Sequence, residues 1–277
     1  LRQLEVSLEG PDRVTRKALI LAPAHGPPGQ RYPALLLLHG RGEVASPRAG
    51  IHAWHEQYGL GESYAQLRRP PLGFDAERAQ FMRRDQLTAI NTDLSKHPFA
   101  GLVLICPVTP NPHTSAAPEQ LLVDYSDWIE QTLLPRVAEV APVDHTPCLG
   151  LDGCSLGGYV AAEVFARKPH LFRTFGMVQA AFGRARVAAF AEHLARAARQ
   201  PGFAGIHLQT SSLDPFRGTT EALSAELTRL DAPHVVEVLP GPHTKRWLRS
   251  AGSLAMLAWQ ERTLRLIERP GTGSSAP

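Results

Sequence analysis

Leu149-Gly150-Leu151-Asp152-Gly153-Cys154-Ser155-Leu156-Gly157-Gly158-Tyr159-Val160 is the stretch on which the fold turns. Its centre, Gly153-Cys154-Ser155-Leu156-Gly157, is a Gly-x-Ser-x-Gly pentapeptide. The apolar run 148–151 precedes it, and an alanine-rich helical pattern at 159–167 follows. The pentapeptide alone is common by chance; a strand before it and a helix after it give it meaning. A serine on so sharp a strand-to-helix turn holds an unfavourable backbone conformation. Side chains at Gly153 and Gly157 would collide with the adjoining strand and helix. The turn lifts the hydroxyl out of the sheet, and the new helix points its positive end and free N–H groups at whatever Ser155 attacks.

Outward from this turn, buried strands alternate with helical patterns. Residues 32–38, closing on His39-Gly40, and residues 101–107 are continuous apolar runs, which imply strands buried on both faces of a parallel sheet. Downstream, residues 174–180, 205–210 and 234–239 read as strands. Helices are predicted at 184–199, 219–230 and 247–267. Residues 119–140 form an amphipathic helix, with Leu122, Tyr125, Ile129 and Leu133 at helical spacing and Pro135 kinking or shortening it. At the start, 4–8 and 14–21 alternate apolar and polar residues around Gly10-Pro11-Asp12, an antiparallel hairpin at a sheet edge. The fold class is α/β: a mostly parallel sheet with an antiparallel N-terminal hairpin and helices on both faces. Residues 43–100 are the least regular part and read as an insertion after the first buried strand, a lid or pocket wall, with a charged helix at 75–94. Residues 1–267 are expected as a single domain and 268–277 as a flexible tail.

Composition narrows the function. The 277 residues are 43% hydrophobic and 20% charged, with a net charge of +3. No Lys/Arg cluster interleaved with aromatics points to nucleic acid, and the apolar runs fall short of a membrane span. Cys106, Cys148 and Cys154 are odd in number and mostly inside apolar runs, which suggests neither a disulfide framework nor a zinc site. His52-Ala53-Trp54-His55 lacks a third ligand at a compelling spacing, so neither a metal nor a cofactor is expected. The chain begins at Leu1 rather than Met; a cytoplasmic location is the expectation, with secretion left open.

In a parallel sheet all strand C-termini share one edge, and ligand sites collect there. A catalytic acid or histidine therefore follows a strand. Asp214 and His243 pass this filter. Asp144 and Asp231 lead into strands and fail, His234 begins a strand, and His207 lies within one. The order Ser155, Asp214, His243 is nucleophile, acid, base. A serine hydroxyl ionises too weakly near neutral pH, so an imidazole must take its proton, and a carboxylate must orient that imidazole and stabilise its charged form. Oxyanion stabilisation calls for the backbone N–H of Leu156 and a second donor where residues 34–38 open into His39-Gly40-Arg41-Gly42. Arg41 is the first choice and Gly40 the next, each worth roughly 3 kcal/mol to the transition state. His39 reads as a brace for that turn. Trp54 and Tyr58 are expected to supply apolar surface for an acyl or aryl group, and Trp247 to anchor the last helix in the core.

Residues 32–42 with their His-Gly turn, Trp128 with Leu134-Pro135, residues 153–158, and Asp214 with Pro240-Gly241-Pro242-His243 together resemble the esterase D-like branch of the α/β-hydrolases. That branch holds feruloyl esterases, siderophore esterases and mycolyltransferase-like proteins. The resemblance spans about residues 14–267. It implies the α/β-hydrolase fold, a triad of Ser155, Asp214 and His243, and an oxyanion hole from the N–H groups of Arg41 and Leu156. Two departures lie near the site. The first turn reads His-Gly-Arg-Gly-Glu where a further glycine after Gly42 is usual, and residues 43–100 are longer and more aromatic than the branch implies. The expected activity is hydrolysis of a small-molecule carboxylic ester through an acyl-enzyme. Acyl transfer and peptide cleavage use the same triad, and a catalytically silent binding protein is the reading from another class. Neither oligomeric state nor substrate is legible.

Overall fold

A computed structural model describes residues 1–144 and 149–267. Cys148 and the tail at 268–277 lie outside the described residues. The strands are β1 (Arg2–Glu9), β2 (Thr15–Ala22), β3 (Ala34–Leu38), β4 (Val103–Pro107), β5 (Leu149–Gly153), β6 (Thr174–Val178), β7 (Gly205–Leu213) and β8 (Val235–Pro242). They form an eight-stranded sheet in the order β1-β2-β4-β3-β5-β6-β7-β8. β1 and β2 are the antiparallel hairpin, β2 meets β4 antiparallel, and every pairing from β4 to β8 is parallel. The helices are, in chain order, α1 (Pro47–His52), α2 (Leu60–Leu67), α3 (Arg84–Lys96), α4 (Pro118–Trp128), α5 (Leu134–Val140), α6 (Leu156–Arg167), α7 (Val187–Ala198), α8 (Arg217–Arg229), α9 (Lys245–Trp247) and α10 (Ser253–Ile267).

Period-two alternation along the buried strands builds two cores. Ile20, Leu36, Leu38 and Ile105 pack with Trp128, Phe165, Phe190 and Leu223, so α4 to α8 cover one face. Leu21, Leu35, Leu37 and Leu104 point the other way, to Trp54, Tyr64, Leu87, Trp247 and Leu257. A strand whose successive side chains are all apolar has to be covered on both sides. Residues 43–100 do much of that covering. Within this stretch, expected as a lid or pocket wall, Trp54, Leu60, Leu67 and Met82 are wholly buried.

Several boundaries shift for local reasons. The helix expected over 75–94 starts only at Arg84. The extended Arg83 ahead of it has its N–H accepted by Gln86 Oε1 at 3.0 Å, and Arg78 is buried with its guanidinium donating to Gly73 and Gln66. Pro135 does not end its helix. A widened turn over Ile129–Leu133 separates α4 from α5, which re-registers the ladder where proline has no N–H and its ring crowds the previous turn.

Asp152, in the strand beneath the serine, is wholly buried. It accepts from Gln260 Nε2 at 2.9 Å and from the Gly153 N–H at 2.8 Å, and Gln260 Oε1 in turn accepts from Thr174 Oγ1 at 2.6 Å. A side chain at Gly176 would fall on the carboxylate, so that glycine makes the space. Burial outweighs the Gln260 bond and pushes the Asp152 carboxyl from 3.8 up to about 6. The folded chain therefore holds this proton more tightly than the unfolded chain. Stability from this group is highest below about pH 4 and falls by roughly 3 kcal/mol as pH rises through 6. Asp152→Asn keeps acceptor and donor capacity if the Gln260 amide turns over. Urea denaturation from pH 4 to 8 is expected to show the variant gaining on the native chain across that window; a difference constant with pH would refute the assignment.

Candidate active site

The serine turn is built by close approach. Ser155 has φ 53° and ψ −120°. Its N–H donates to Val178 O at 3.0 Å, and its carbonyl accepts from Ala181 N at 2.9 Å. These bonds stitch the turn to the end of β6. A Cβ on Gly153 would strike the backbone of Gly157, and one on Gly157 would strike the carbonyl of Leu38. Only glycine lets strand, turn and helix approach this closely.

Three distant loops converge on Ser155. His243, following β8, has Nε2 3.1 Å from Ser155 Oγ and Nδ1 2.9 Å from Asp214 Oδ1. With Nδ1–H donating to the carboxylate, Nε2 is left to accept the serine proton. The side chain of Asp214 is fully covered. Thr210 Oγ1 donates to its Oδ2 at 2.7 Å and Phe216 N to its Oδ1 at 3.0 Å. These bonds aim the carboxylate at the ring. The Phe216 ring stands edge-on to His243 at 5.6 Å between centroids.

Among the described residues, the N–H groups of Leu156 and Arg41 have no hydrogen-bond partner. Leu156 opens α6, and Arg41 opens the short turn after β3. Gly40, the second choice for the donor, has its N–H taken by Tyr58 Oη at 3.2 Å. His39 is a brace: its Nε2 accepts from Thr109 N at 2.9 Å, which leaves Nδ1–H to donate to Gly40 O at 2.8 Å. Burial lowers the His39 pKa, consistent with a neutral ring.

A cavity of about 170 Å³ opens over Ser155, lined by Arg41, Glu43, Tyr58, Gln179, His243 and Lys245 among others. Larger hollows of about 590 and 410 Å³ elsewhere contain none of Ser155, Asp214 and His243. Trp54 does not line the cavity, contrary to expectation. It is fully buried, edge-on to Tyr58 at 5.2 Å, because the sheet face beneath needs a large apolar cover. Tyr58 does line it, with its hydroxyl hydrogen-bonded to Glu43 and to the Gly40 N–H. Burial, with Cys154 and Glu43 nearby, pushes its phenol far above the ordinary range, so it remains a donor. Trp247 is a core anchor, its Nε1 donating to Pro240 O at 2.9 Å. His52 pairs with Glu5 and Glu56, whereas His55 meets Gln3 at 2.9 Å.

Glu43, Gln179 and Lys245 belong to the site and were missed. Gln179 follows β6 at the same sheet edge, but the sequence reading runs that strand on to residue 180, so the strand-end filter passes over it. It is nearly wholly buried and holds φ 46°. Its Nε2 donates to Ser211 Oγ at 2.6 Å and to Pro242 O at 3.2 Å, and its N–H to Gln209 O at 2.7 Å. One side chain thus ties the Asp214 loop to the His243 loop beside the serine. Left-handed backbone at a non-glycine residue costs about 1–3 kcal/mol and persists where the surroundings over-determine it.

The fold and the serine turn define a class: the chain has the α/β-hydrolase fold. Among solved structures, it is similar to S-formylglutathione hydrolase from Staphylococcus aureus, with a TM-score of 0.64 and 16% identity over 94% of this chain and 96% of that one. A ferulic acid esterase from the anaerobic fungus Anaeromyces mucronatus matches with a TM-score of 0.64 and 14% identity over 95% and 90%. The fluorophosphonate-binding serine hydrolase F of Staphylococcus aureus matches with a TM-score of 0.61 and 14% identity over 94% and 98%. Searches by sequence give no match to a protein-family model or to a curated protein. At these identities the likeness establishes the fold. No helix among the described residues is long and apolar enough to cross a membrane.

Gln179→Leu keeps the volume and removes both side-chain donations. The expected result is a roughly tenfold slower reaction of Ser155 with a fluorophosphonate, because the histidine loop loses its register. The rate constant is read by stopped aliquots beside a thermal melt. An unchanged rate would sink the positioning role.

Proposed function

We propose that this chain is a serine hydrolase that cleaves small carboxylic esters through an acyl-enzyme. The observation that carries the reading is the hydrogen-bonded line Asp214–His243–Ser155, with the unpartnered N–H groups of Leu156 and Arg41 beside it. Support also comes from the fold's neighbours, among them a ferulic acid esterase and an S-formylglutathione hydrolase.

In this reading His243 Nε2 takes the hydroxyl proton as Ser155 Oγ attacks the ester carbonyl. Asp214, covered and held by Thr210 and Phe216, stabilises the imidazolium without moving. Negative charge then develops on the former carbonyl oxygen, where the N–H groups of Leu156 and Arg41 receive it, aided by the N-terminus of α6. His243 returns the proton to the leaving alcohol, the C–O bond breaks, and the acyl group stays on Ser155. Water then gives a proton to the same nitrogen as its oxygen attacks the acyl carbon; the bond to Ser155 Oγ breaks, His243 returns the proton to Oγ, and the acid leaves. Arg41 is preferred to Gly40 as second donor because Tyr58 already occupies the Gly40 N–H.

Labelling with a fluorophosphonate, together with hydrolysis of short-chain nitrophenyl esters, tests this directly. Ser155→Ala is expected to abolish labelling, and Ser155→Ala and His243→Ala each to lower kcat by roughly ten-thousandfold or more. A folded native chain that neither labels nor turns over any ester would support the silent binding protein instead.

A further inference from the structure

Glu43 is a carboxylate in an unusual place. It closes the turn Arg41–Glu43 that carries the proposed oxyanion donor, lines the Ser155 cavity, and is only 3% exposed. One of its oxygens, Oε2, accepts from the Tyr58 hydroxyl, which itself accepts the Gly40 N–H. The other oxygen, Oε1, is buried with no directed hydrogen bond, and among the described residues its compensation is an ion pair with Lys245 Nζ. Lys245 stands two residues beyond His243, is about half exposed, and also donates to Gln57 Oε1 at 2.5 Å.

We propose that Glu43, Tyr58 and Lys245 are positioning residues that clasp the oxyanion turn to the histidine loop, with Lys245 cancelling a buried negative charge that would otherwise oppose the oxyanion. The inference rests on the esterase reading and adds to it a charge requirement the triad alone does not contain. Negative charge appears on the substrate oxygen during attack, inside a cavity of about 170 Å³ that Glu43 also lines. An uncompensated carboxylate lining the same cavity repels it, because the protein interior screens less than water does. A buried charge whose partner is removed is also costly in its own right. The clasp joins the two loops whose separation sets whether His243 and the Arg41 N–H act on the same carbonyl.

Sign separates this role from mere bracing. If Lys245 acts by cancelling charge, its removal slows catalysis, and removing the charge of Glu43 as well restores part of the rate. The experiment measures kcat and KM for nitrophenyl acetate, with a thermal melt of each protein, for the native chain, Lys245→Met, Lys245→Arg, Glu43→Gln/Lys245→Met and Ser155→Ala. Lys245 is exposed enough that its variants are expected to fold. Lys245→Met is expected to lose roughly tenfold in kcat with KM within about twofold of native. Lys245→Arg is expected to keep most of the rate, and the double variant to run several-fold faster than Lys245→Met. Native-like kcat in Lys245→Met, or a folded double variant no faster than it, overturns the charge role while leaving the esterase reading intact. Native protein without Ser155-dependent turnover overturns that reading and this inference together.

Discussion

The structure depends on one contact distance, that between the start of α6 and the ends of β3 and β5. Gly157 lies against the carbonyl of Leu38, and Gly153 against the backbone of Gly157, so neither position has room for a Cβ. That closeness forces Ser155 to φ 53°, at a cost of about 1–3 kcal/mol. The surrounding bonds to Val178 and Ala181 absorb that cost. Because the turn cannot relax, the hydroxyl, the first N–H groups of α6 and the end of β3 hold one fixed relation. Everything else in the site is brought to this point.

The bringing is done by the sheet. Parallel strands deliver their C-terminal ends to a common edge, and β3, β5, β6, β7 and β8 each contribute a loop there. The two cores give that edge its rigidity, since every central strand is held by packing on both faces. Residues 43–100 have a double part. Their large apolar side chains cover the second face, and this packing sets Tyr58 under the turn at Gly40 and Arg41.

Polar groups then set the angles. Thr210 and Phe216 orient Asp214, Gln179 links the acid and histidine loops, and Thr109 with His39 fixes the turn after β3. Each of these bonds crosses between chain segments far apart in sequence or turns a loop back on itself. Buried polar groups satisfied in this manner rigidify a site, because any movement leaves a donor or acceptor unpaired in a poorly solvating interior.

Much of this was legible in the residues. Continuous apolar runs located the central strands, since only a strand covered on both faces lacks polar alternation. The glycine pattern located the serine turn, since no other residue fits there. The rule that ligands gather at strand C-termini picked Asp214 and His243 from a dozen histidines and many acids. That rule works from local order alone. What sequence could not convey was which side chains a distant element would claim. Trp54 and Tyr58 look alike as aromatic wall material, yet packing sent Trp54 wholly into the core and left Tyr58 lining the cavity. Arg41 ranks ahead of Gly40 on paper, but only the folded chain shows that Tyr58 takes the Gly40 N–H. Glu43 and Lys245 are ordinary surface charges in sequence and become an ion pair only when the first and last loops meet. Periodicity and glycine placement are properties of the chain's own backbone, so the sequence by itself determined the strands, the turn and the order in which Ser155, Asp214 and His243 reach the sheet edge. Partnerships across long sequence distances exist only once the sheet has closed, so the tertiary structure alone decided the cavity wall, the partner of the Gly40 N–H and the pairing of Glu43 with Lys245.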